Sequence, residues 1–182
     1  DVYISVLEAV KHAAAHHKVT ADVVAIEAER AEADTDFLEG FSAIIVPQGW
    51  GARGTEGKIR AIKFAREKKI PFLGLCFGMQ MASIEFGRNV CDLPGANSEE
   101  ADDKTKYHVI HIMPDQKEYL VKHQYGGTIR LGAWPCVLKA GSLLASLYQK
   151  YDNNSVEKGT DDSLIIKERH RHRYEFNNEF RD

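Results

Sequence analysis

A short motif at residues 70–80, Ile-Pro-Phe-Leu-Gly-Leu-Cys-Phe-Gly-Met-Gln, strongly constrains the fold of this chain. Its apolar first half predicts a buried strand, and a helical pattern follows at residues 79–90. Gly74, Cys76 and Gly78 lie between them with the spacing G-x-C-x-G. This is the cysteine version of a nucleophile elbow, a tight strand-to-helix turn with small residues two before and two after the reactive group. The turn crowds its own backbone, so a side chain at either glycine would clash.

Cys76 has two interpretations. As a nucleophile, its sulfur would be lifted off the sheet edge and placed at a helix N-terminus, where the positive end of the dipole favours thiolate over thiol. As an ordinary cysteine, it would be buried in the core, which is a common fate of this residue. The local pattern favours the nucleophile but leaves the core cysteine open.

Size and composition indicate an ordinary globular protein. With 182 residues the chain fits one domain that needs no disulfides to form its core. Its 43% hydrophobic residues and net charge of −3 require neither nucleic acid nor a membrane as partner. The three cysteines are odd in number and widely spread, which favours a reducing compartment such as the cytoplasm. Because the chain opens directly into a helical pattern and stops in polar sequence, we expect a domain truncated at both ends.

Strand and helix patterns alternate through the first half of the chain. Helices are predicted at 1–17 and 56–68, and strands at 22–26, 41–47 and 70–75. This order predicts a parallel sheet with helices on its faces. Active sites of such sheets gather at the carboxyl ends of the strands. We therefore expect the glycine-rich loop at 48–54 to meet the elbow.

The second half of the chain has a different character. Short alternating stretches predict a small antiparallel meander with strands at 107–112, 128–131 and 134–138. The remaining patterns predict a helix at 141–151, a polar loop at 152–162 and a strand at 163–167.

A cysteine that attacks a carbonyl group needs an oxyanion hole, and backbone N–H groups suit this role because they are fixed in place. The elbow supplies the N–H of Phe77. The loop Gln-Gly-Trp-Gly-Ala-Arg-Gly at 48–54 can supply a second N–H at Gly49. The alternatives for this loop are an ordinary turn between a strand and a helix or a weak phosphate-binding loop, of which we discount the second.

No histidine stands out as the base that such a nucleophile needs. His12 and His16 have the i, i+4 spacing of a metal site but no evident third ligand, so we expect surface histidines and no metal. His170 and His172 alternate with arginines. The missing base is the main gap in an enzymatic interpretation.

Two charged clusters have open interpretations. Arg169, Arg171 and Arg173 form either a solvated charged face or a site for a carboxylate or phosphate, which the planar guanidinium suits. Glu99 and Glu100 are either surface charges or ligands of an ammonium group close to the elbow.

Five runs of sequence resemble the glutaminase (class I glutamine amidotransferase) domain of CTP synthases. They lie at 46–58, 74–80, 96–100, 126–132 and 168–177, and the resemblance covers nearly the whole chain. The elbow fits any amidotransferase with a catalytic triad. The runs Gly-Gly-Thr-Ile-Arg-Leu-Gly at 126–132 and Arg-His-Arg-His-Arg-Tyr-Glu at 169–175 are particular to CTP synthases. The resemblance implies an α/β fold of the flavodoxin-like class I amidotransferase type, with a mostly parallel sheet flanked by helices, a nucleophile elbow and a small antiparallel extension.

The resemblance also implies roles for individual residues. Cys76 would attack the side-chain amide of L-glutamine, form a glutamyl thioester and release ammonia. Thr128 and Arg130 match positions linked to activation by GTP. The residues that would bind the substrate or line the oxyanion hole are Gly49, Phe77, Gly78, Met79, Gln80, Glu100 and Arg173.

The partners implied by the resemblance lie outside this chain. Ammonia would pass to a synthase (amidoligase) domain of the same polypeptide, where ATP and Mg²⁺ serve the amination of UTP to CTP. The glutaminase domain itself would need no cofactor. The full-length enzyme would be a cytoplasmic homo-oligomer.

Departures from the family pattern leave alternatives open. In the 48–54 loop, Gln48 and Trp50 replace a glycine and a phenylalanine of the family, and the first strand of the fold is absent. The Phe-His-Pro-Glu segment that carries the base and its orienting glutamate is also absent, so we expect little or no glutamine turnover from this chain alone. One alternative is a non-catalytic regulatory or interaction module on the same fold. Another, a γ-glutamyl hydrolase, is disfavoured because it does not account for 126–132 or 169–175.

Overall fold

The computed structural model describes residues 3–114, 116 and 129–181. Residues 1–112 and 174–182 belong to one compact unit, and residues 113–173 belong to a second. None of the helices in the described ranges has both the length and the apolar character that a membrane crossing needs.

The first unit alternates helices with short strands. In chain order the elements of this unit are α1 (Ile4–His17), α2 (Arg30–Ala33), β1 (Ile44–Val46), α3 (Thr55–Lys68), β2 (Phe72–Gly74), α4 (Phe77–Asn89), β3 (Asn97–Ser98), β4 (His108–Ile112) and β8 (Tyr174–Phe176). β1 and β2 pair in parallel, β3 pairs in parallel with β4, and β4 pairs antiparallel with β8.

The core of the first unit is formed by the apolar faces of α3, α4, β1 and β4. Val46, Phe77 and Met81 are among its buried side chains. α3 also approaches the segment before α2 closely, since a Cβ on Gly57 would lie 1.8 Å from the carbonyl oxygen of Ala28. Only glycine permits that contact.

A buried ion pair joins α3 to α4. Glu85 on α4 is 1% exposed, and Arg66 on α3 donates to its two carboxylate oxygens over distances of 2.8 to 3.2 Å. Nδ2 of Asn89 donates to the same carboxylate at 3.1 Å. A buried carboxylate needs such partners because its desolvation is unfavourable. The pair therefore holds α4, and the elbow from which α4 begins, against α3.

The second unit is an antiparallel sheet with one helix on it. β5 (Arg130–Leu138) pairs with β7 (Leu164–His172), from Arg130 opposite His172 to Leu138 opposite Leu164. β6 (Glu157–Lys158) adds to the other side of β7. α5 (Leu143–Tyr151) packs through Ala145 on the buried face of this sheet.

The predicted order of helices and strands is confirmed for most of the first unit, with element ends displaced by a few residues. The strand predicted at 22–26 is wrong, because these residues form no strand. Val23 and Val24 are 47% and 53% exposed, so they do not pack on a sheet as a buried strand would.

The antiparallel meander predicted for the second half is also wrong. β4 pairs with β3 and β8, whereas β5 pairs with β7. From Arg130 onward, the two stretches predicted as separate strands are the single strand β5. Gly132 takes a positive φ of 89° and still lies opposite His170. Pro135 lies in β5, which is an edge strand, the kind of strand to which proline is largely confined within sheets.

Candidate active site

The elbow predicted at Cys76 is present. Cys76 joins β2 to α4 with φ 52° and ψ −103°, a positive φ that is rare for a residue other than glycine. A Cβ on Gly74 would lie 2.7 Å from the backbone carbon of Gly78. A Cβ on Gly78 would lie 1.9 Å from the carbonyl oxygen of Val46. Both glycines are therefore required by the turn, and the turn in turn sets the position of the Cys76 side chain.

Backbone hydrogen bonds hold this turn. The N–H of Leu75 donates to Val46 at 2.9 Å, which ties the end of β2 to the end of β1. The N–H of Gly78 donates to Leu75 at 2.9 Å, and the N–H of Gln80 donates to Cys76 at 3.1 Å. The elbow is thus continuous with both the parallel pair and the first turn of α4.

The Cys76 thiol is less acidic than the elbow pattern predicts. The residue is exposed, yet packing around the sulfur raises the pKa of the thiol, and the charge of Glu100 raises it further. A hydrogen bond from the N–H of Phe77 lowers this pKa, but its effect is smaller than that of burial. The first N–H of α4 thus favours the thiolate, as expected of a helix N-terminus, but burial of the sulfur has the larger effect on the pKa. The thiol needs a base before it can attack.

The glycine-rich loop at 48–54 meets the elbow, as predicted. Gly49 lies against the ring of Phe77, since a Cβ on Gly49 would be 3.4 Å from Cδ1 of that ring. Phe77 is only 3% exposed, so its ring is a fixed surface for the loop. The two residues expected to supply oxyanion-hole N–H groups are therefore in contact.

The backbone of this loop accepts Gln48 without strain. Gly51 and Gly54 have positive φ values of 77° and 67°, whereas the φ of Gln48 is not positive.

Gly49, Gly51 and Gly54 have the G-x-G-x-x-G spacing of a dinucleotide-binding loop. In such a loop the third glycine lets the helix pack closely on the strand. Gly54 does not have this role, because it precedes α3, which begins at Thr55. The phosphate-binding alternative is therefore not supported.

Glu100 lies beside the same loop. Its Oε1 accepts a hydrogen bond from the N–H of Gly51 at 3.2 Å, and burial raises its pKa. Glu99 instead accepts the N–H of Ile112 at 2.9 Å. Of the two glutamates considered for an ammonium group, Glu100 is the one whose charge acts on Cys76, while Glu99 holds the end of β4.

Comparison with known proteins agrees with this geometry. A family profile named glutamine amidotransferase class-I matches residues 1–182. The chain belongs to the class-I glutamine amidotransferase family. The predicted α/β fold class is confirmed, and the sheet of β5, β6 and β7 is its antiparallel extension.

Similar proteins of this amidotransferase family include CTP synthases. The CTP synthase of Caldanaerobacter subterraneus subsp. tengcongensis is 49% identical over 184 residues, and that of Chlorobaculum parvum is 47% identical over 186 residues. These matches cover 100% of this chain but 31% and 30% of the relatives, so the chain spans about a third of their length.

A solved structure of Trypanosoma brucei CTPS, its glutaminase domain with bound acivicin, has the same fold. It is 34% identical, has a TM-score of 0.83 and matches over 99% of this chain and 64% of that chain. The predicted resemblance to the glutaminase domain of CTP synthases is confirmed.

In this amidotransferase domain, Gln80 is a buried residue in the first turn of α4, directly after the elbow. It is 6% exposed, and its Nε2 donates to the backbone carbonyl of Tyr174 at 3.2 Å. Met79 is exposed on the same turn of α4, and Gly78 packs against β1. Together with Cys76 and Phe77, these residues occupy the start of α4, as predicted.

The arginine cluster divides between two environments. Arg169 and Arg171 are exposed on β7, as a solvated charged face requires. Arg173 is half-buried, and its backbone carbonyl accepts the N–H of Met113 at 3.1 Å. Arg173 is thus the member that differs from a simple surface charge.

Of the two positions linked to GTP by resemblance, Arg130 is the one that the structure describes, and it is the first residue of β5. The guanidinium of Arg130 lies 5.3 Å from the centroid of the Trp134 ring, close enough for a cation–π interaction. Thr128 lies outside the described residues.

The histidines that the sequence patterns single out lie on α1 and β7. His12 and His16 are exposed on α1. Nδ1 of His170 and Nε2 of His172 lie 2.7 Å apart and hydrogen-bond one another. Within the part of the chain that the structure describes, no group of three or more His, Cys, Asp or Glu residues could hold a metal ion.

One residue beside the site, Lys58, is not identified by the sequence patterns. It lies in the first turn of α3, with its Nζ 3.4 Å from two carbonyl oxygens of the 48–54 loop. The available signal is its position four residues after the last loop glycine, where the helix dipole disfavours a cation.

Proposed function

We propose that this chain is the glutaminase domain of a CTP synthase. The observation that carries the proposal is Cys76, held at positive φ in a glycine-bounded elbow whose next residue, Phe77, packs against Gly49. This arrangement can present a thiol and fixed N–H groups to one carbonyl carbon. The names of the similar CTP synthases and the likeness to a solved glutaminase domain support glutamine as the substrate.

In the proposed reaction, a base takes the proton of Cys76, and Sγ attacks the side-chain amide carbon of L-glutamine. The N–H groups of Gly49 and Phe77 stabilise the oxyanion of the tetrahedral intermediate. The C–N bond then breaks, and the nitrogen takes the proton from the base and leaves as ammonia. Water cleaves the thioester to glutamate and restores the thiol.

The base is proposed to come from the parent polypeptide. The 182 residues contain no Phe-His-Pro-Glu segment, which carries the base in the family this chain resembles. The raised pKa of Cys76 supports the need for such a base, because most of the thiol stays protonated at neutral pH without one.

Glutamine would be recognised by its charged ends. Glu100 would bind the α-ammonium group, a role supported by its position beside the loop and by its effect on Cys76. Arg173 would bind the α-carboxylate, a role proposed from the resemblance alone. Met79 and Gln80 would complete the substrate site, with Gln80 held by its hydrogen bond to Tyr174.

The proposals for the whole protein rest on its likeness to CTP synthases. Ammonia would pass to a synthase domain that uses ATP and Mg²⁺ to convert UTP to CTP, while the glutaminase domain works without a cofactor. GTP would activate the glutaminase step through Thr128 and Arg130. The full-length enzyme would be a cytoplasmic homo-oligomer.

The function can be tested in the full-length protein with Cys76→Ser, using Cys91→Ser as the matched control. Cys91 is exposed beyond the end of α4, away from the elbow. We expect Cys76→Ser to lower glutamine-dependent CTP formation by about 10⁴-fold or more and to leave ammonia-dependent CTP formation intact. Cys91→Ser should leave both activities intact.

Two outcomes would contradict the proposal. One is undiminished glutamine-dependent synthesis by Cys76→Ser. The other is a wild-type protein that makes CTP with ammonia but never with glutamine, a result that would instead support a non-catalytic regulatory module.

A further inference from the structure

Lys58 occupies an unfavourable position for a lysine. It lies in the first turn of α3, where the positive end of the helix dipole opposes a cation, and its side chain is half-buried. Burial lowers the pKa of its ammonium group, while the carboxylates of Glu29 and Glu32 act in the opposite direction. Since helix formation does not favour a lysine here, the contacts of its Nζ are what distinguish this side chain.

The ammonium group of Lys58 contacts the 48–54 loop and also lies over the Phe77 ring of the elbow. Its Nζ lies 3.4 Å from the carbonyl oxygens of Arg53 and Gly54, the last two residues of the loop at 48–54. The same atom lies 5.6 Å from the centroid of the Phe77 ring, within the range of a cation–π interaction. The first part of the loop packs on that ring at Gly49. One side chain therefore connects the end of the loop to the surface that supports its beginning.

The end of the 48–54 loop also contacts the segment that precedes α2. Arg53 donates from Nε to the carboxylate of Glu29. A Cβ on Gly54 would lie 2.9 Å from the Cβ of Ala28 and 3.3 Å from Nζ of Lys58. The backbone of Gly54 is thus held between the 28–29 segment and the lysine ammonium group.

We propose that Lys58 is a positioning residue, whose ammonium group holds the end of the 48–54 loop against the Phe77 ring and so sets the Gly49 N–H relative to Cys76. The catalytic part of this inference rests on the proposed glutaminase function, whereas the holding of the loop is a property of the fold. Lys58→Met would keep an unbranched side chain and remove the charge. Lys58→Arg would keep the charge and the hydrogen-bond donors.

The test compares Lys58→Met with Lys63→Met in the full-length protein. Lys63 lies on the same helix in an exposed ion pair with Glu67, with an Nζ–Oε1 distance of 2.8 Å, and such pairs contribute little. We expect Lys58→Met alone to speed hydrogen exchange of the loop amides at 48–54. It should lower kcat for glutamine hydrolysis by about tenfold or more, since a displaced oxyanion donor acts mainly in the transition state.

Two further readouts separate positioning from general stability. KM and the rate at which iodoacetamide alkylates Cys76 should stay within about twofold of wild type, because neither requires the oxyanion hole. Lys58→Arg should recover most of the lost kcat.

If hydrogen exchange of the 48–54 amides is unchanged in Lys58→Met, the inference is overturned, whether or not the protein hydrolyses glutamine. Faster hydrogen exchange together with a wild-type kcat would overturn the catalytic part of the inference. Parallel losses in thermal stability and in alkylation of Cys76 would assign Lys58 to general stability and overturn positioning. A wild-type protein without glutamine turnover would contradict the proposed function, and loop exchange would still decide the role of Lys58.

Discussion

The backbone N–H of Gly51 donates a hydrogen bond to Oε1 of Glu100 at 3.2 Å, which joins residues 49 positions apart in the sequence. Gly51 belongs to the 48–54 loop, and the charge of Glu100 raises the pKa of Cys76. One carboxylate therefore acts on both the loop and the nucleophile. If Glu100 also binds the α-ammonium group of glutamine, substrate binding would neutralise the charge that opposes formation of the thiolate.

Glu100→Gln tests this dual role in the full-length protein, because glutamine can still accept the Gly51 N–H but carries no charge. We expect kcat/KM for glutamine to fall by about 10- to 100-fold, mainly through a higher KM, since hydrogen bonds to charged groups contribute about 1.5–3 kcal/mol. Glu39→Gln is the matched control, because Glu39 is an exposed partner of Lys68. A wild-type KM in Glu100→Gln would exclude Glu100 from ammonium binding.

The reactivity of Cys76 should depend on pH in a defined direction. Because its pKa is raised, alkylation of Cys76 by iodoacetamide in the 182-residue chain should increase through a midpoint above that of a free cysteine. Glu100→Gln removes a negative charge that opposes the thiolate, so the midpoint should move to lower pH. Mapping the alkylated peptides by mass spectrometry separates Cys76 from Cys91. A midpoint that stays in place or moves upward in Glu100→Gln would contradict this electrostatic account.

Gly78→Ala should disrupt the elbow. The added Cβ would lie 1.9 Å from the carbonyl oxygen of Val46, and backbone atoms cannot yield as a flexible side chain can. We expect a loss of about 3 kcal/mol or more in the free energy of unfolding, as for severe overpacking. Gly40→Ala is the control, because a Cβ there meets no atom within 4 Å. Chemical denaturation of both variants measures the difference, and equal stabilities would contradict the geometry of the turn.

The elbow could be predicted from sequence because its constraint is local. Gly74 and Gly78 are separated from Cys76 by one residue each, and their need for a missing side chain arises within the turn and from the adjacent strand. The meeting of the 48–54 loop with the elbow could also be predicted, because strand order alone brings those strand ends together.

Features that depend on partners distant in the sequence could not be predicted in this way. Glu99 and Glu100 are adjacent, yet Glu99 accepts a hydrogen bond from the N–H of Ile112, and Glu100 accepts one from the N–H of Gly51. The acidity of Cys76 depends on packing around its sulfur, which the motif does not contain. Likewise, Gly132 and Pro135 are residues that commonly interrupt a strand, so the sequence of β5 does not predict one continuous strand. β5 is continuous because it pairs with β7 along its whole length.

The ion pair between Arg66 and Glu85 should matter more for stability than the ion pairs on the surface. Arg66→Met leaves the Glu85 carboxylate, only 1% exposed, without its charged partner. Removing one member of a buried pair destabilises by about 3–5 kcal/mol, and the partial exposure of Arg66 places the expected loss near the lower end, about 3 kcal/mol. Lys63→Met breaks only an exposed pair and should change the free energy of unfolding by about 0.5 kcal/mol or less. Equal urea midpoints for the two variants would contradict this assignment.

The most direct test of the central claim is covalent trapping of the nucleophile in the full-length protein. A diazoketone analogue of glutamine should alkylate Cys76, and peptide mapping by mass spectrometry should find that adduct in the elbow peptide. Labelling should saturate with the analogue and be slowed by L-glutamine. An adduct confined to Cys91 or Cys136, or labelling of Cys76 that glutamine does not slow, would contradict the assignment of Cys76 as the residue that attacks glutamine.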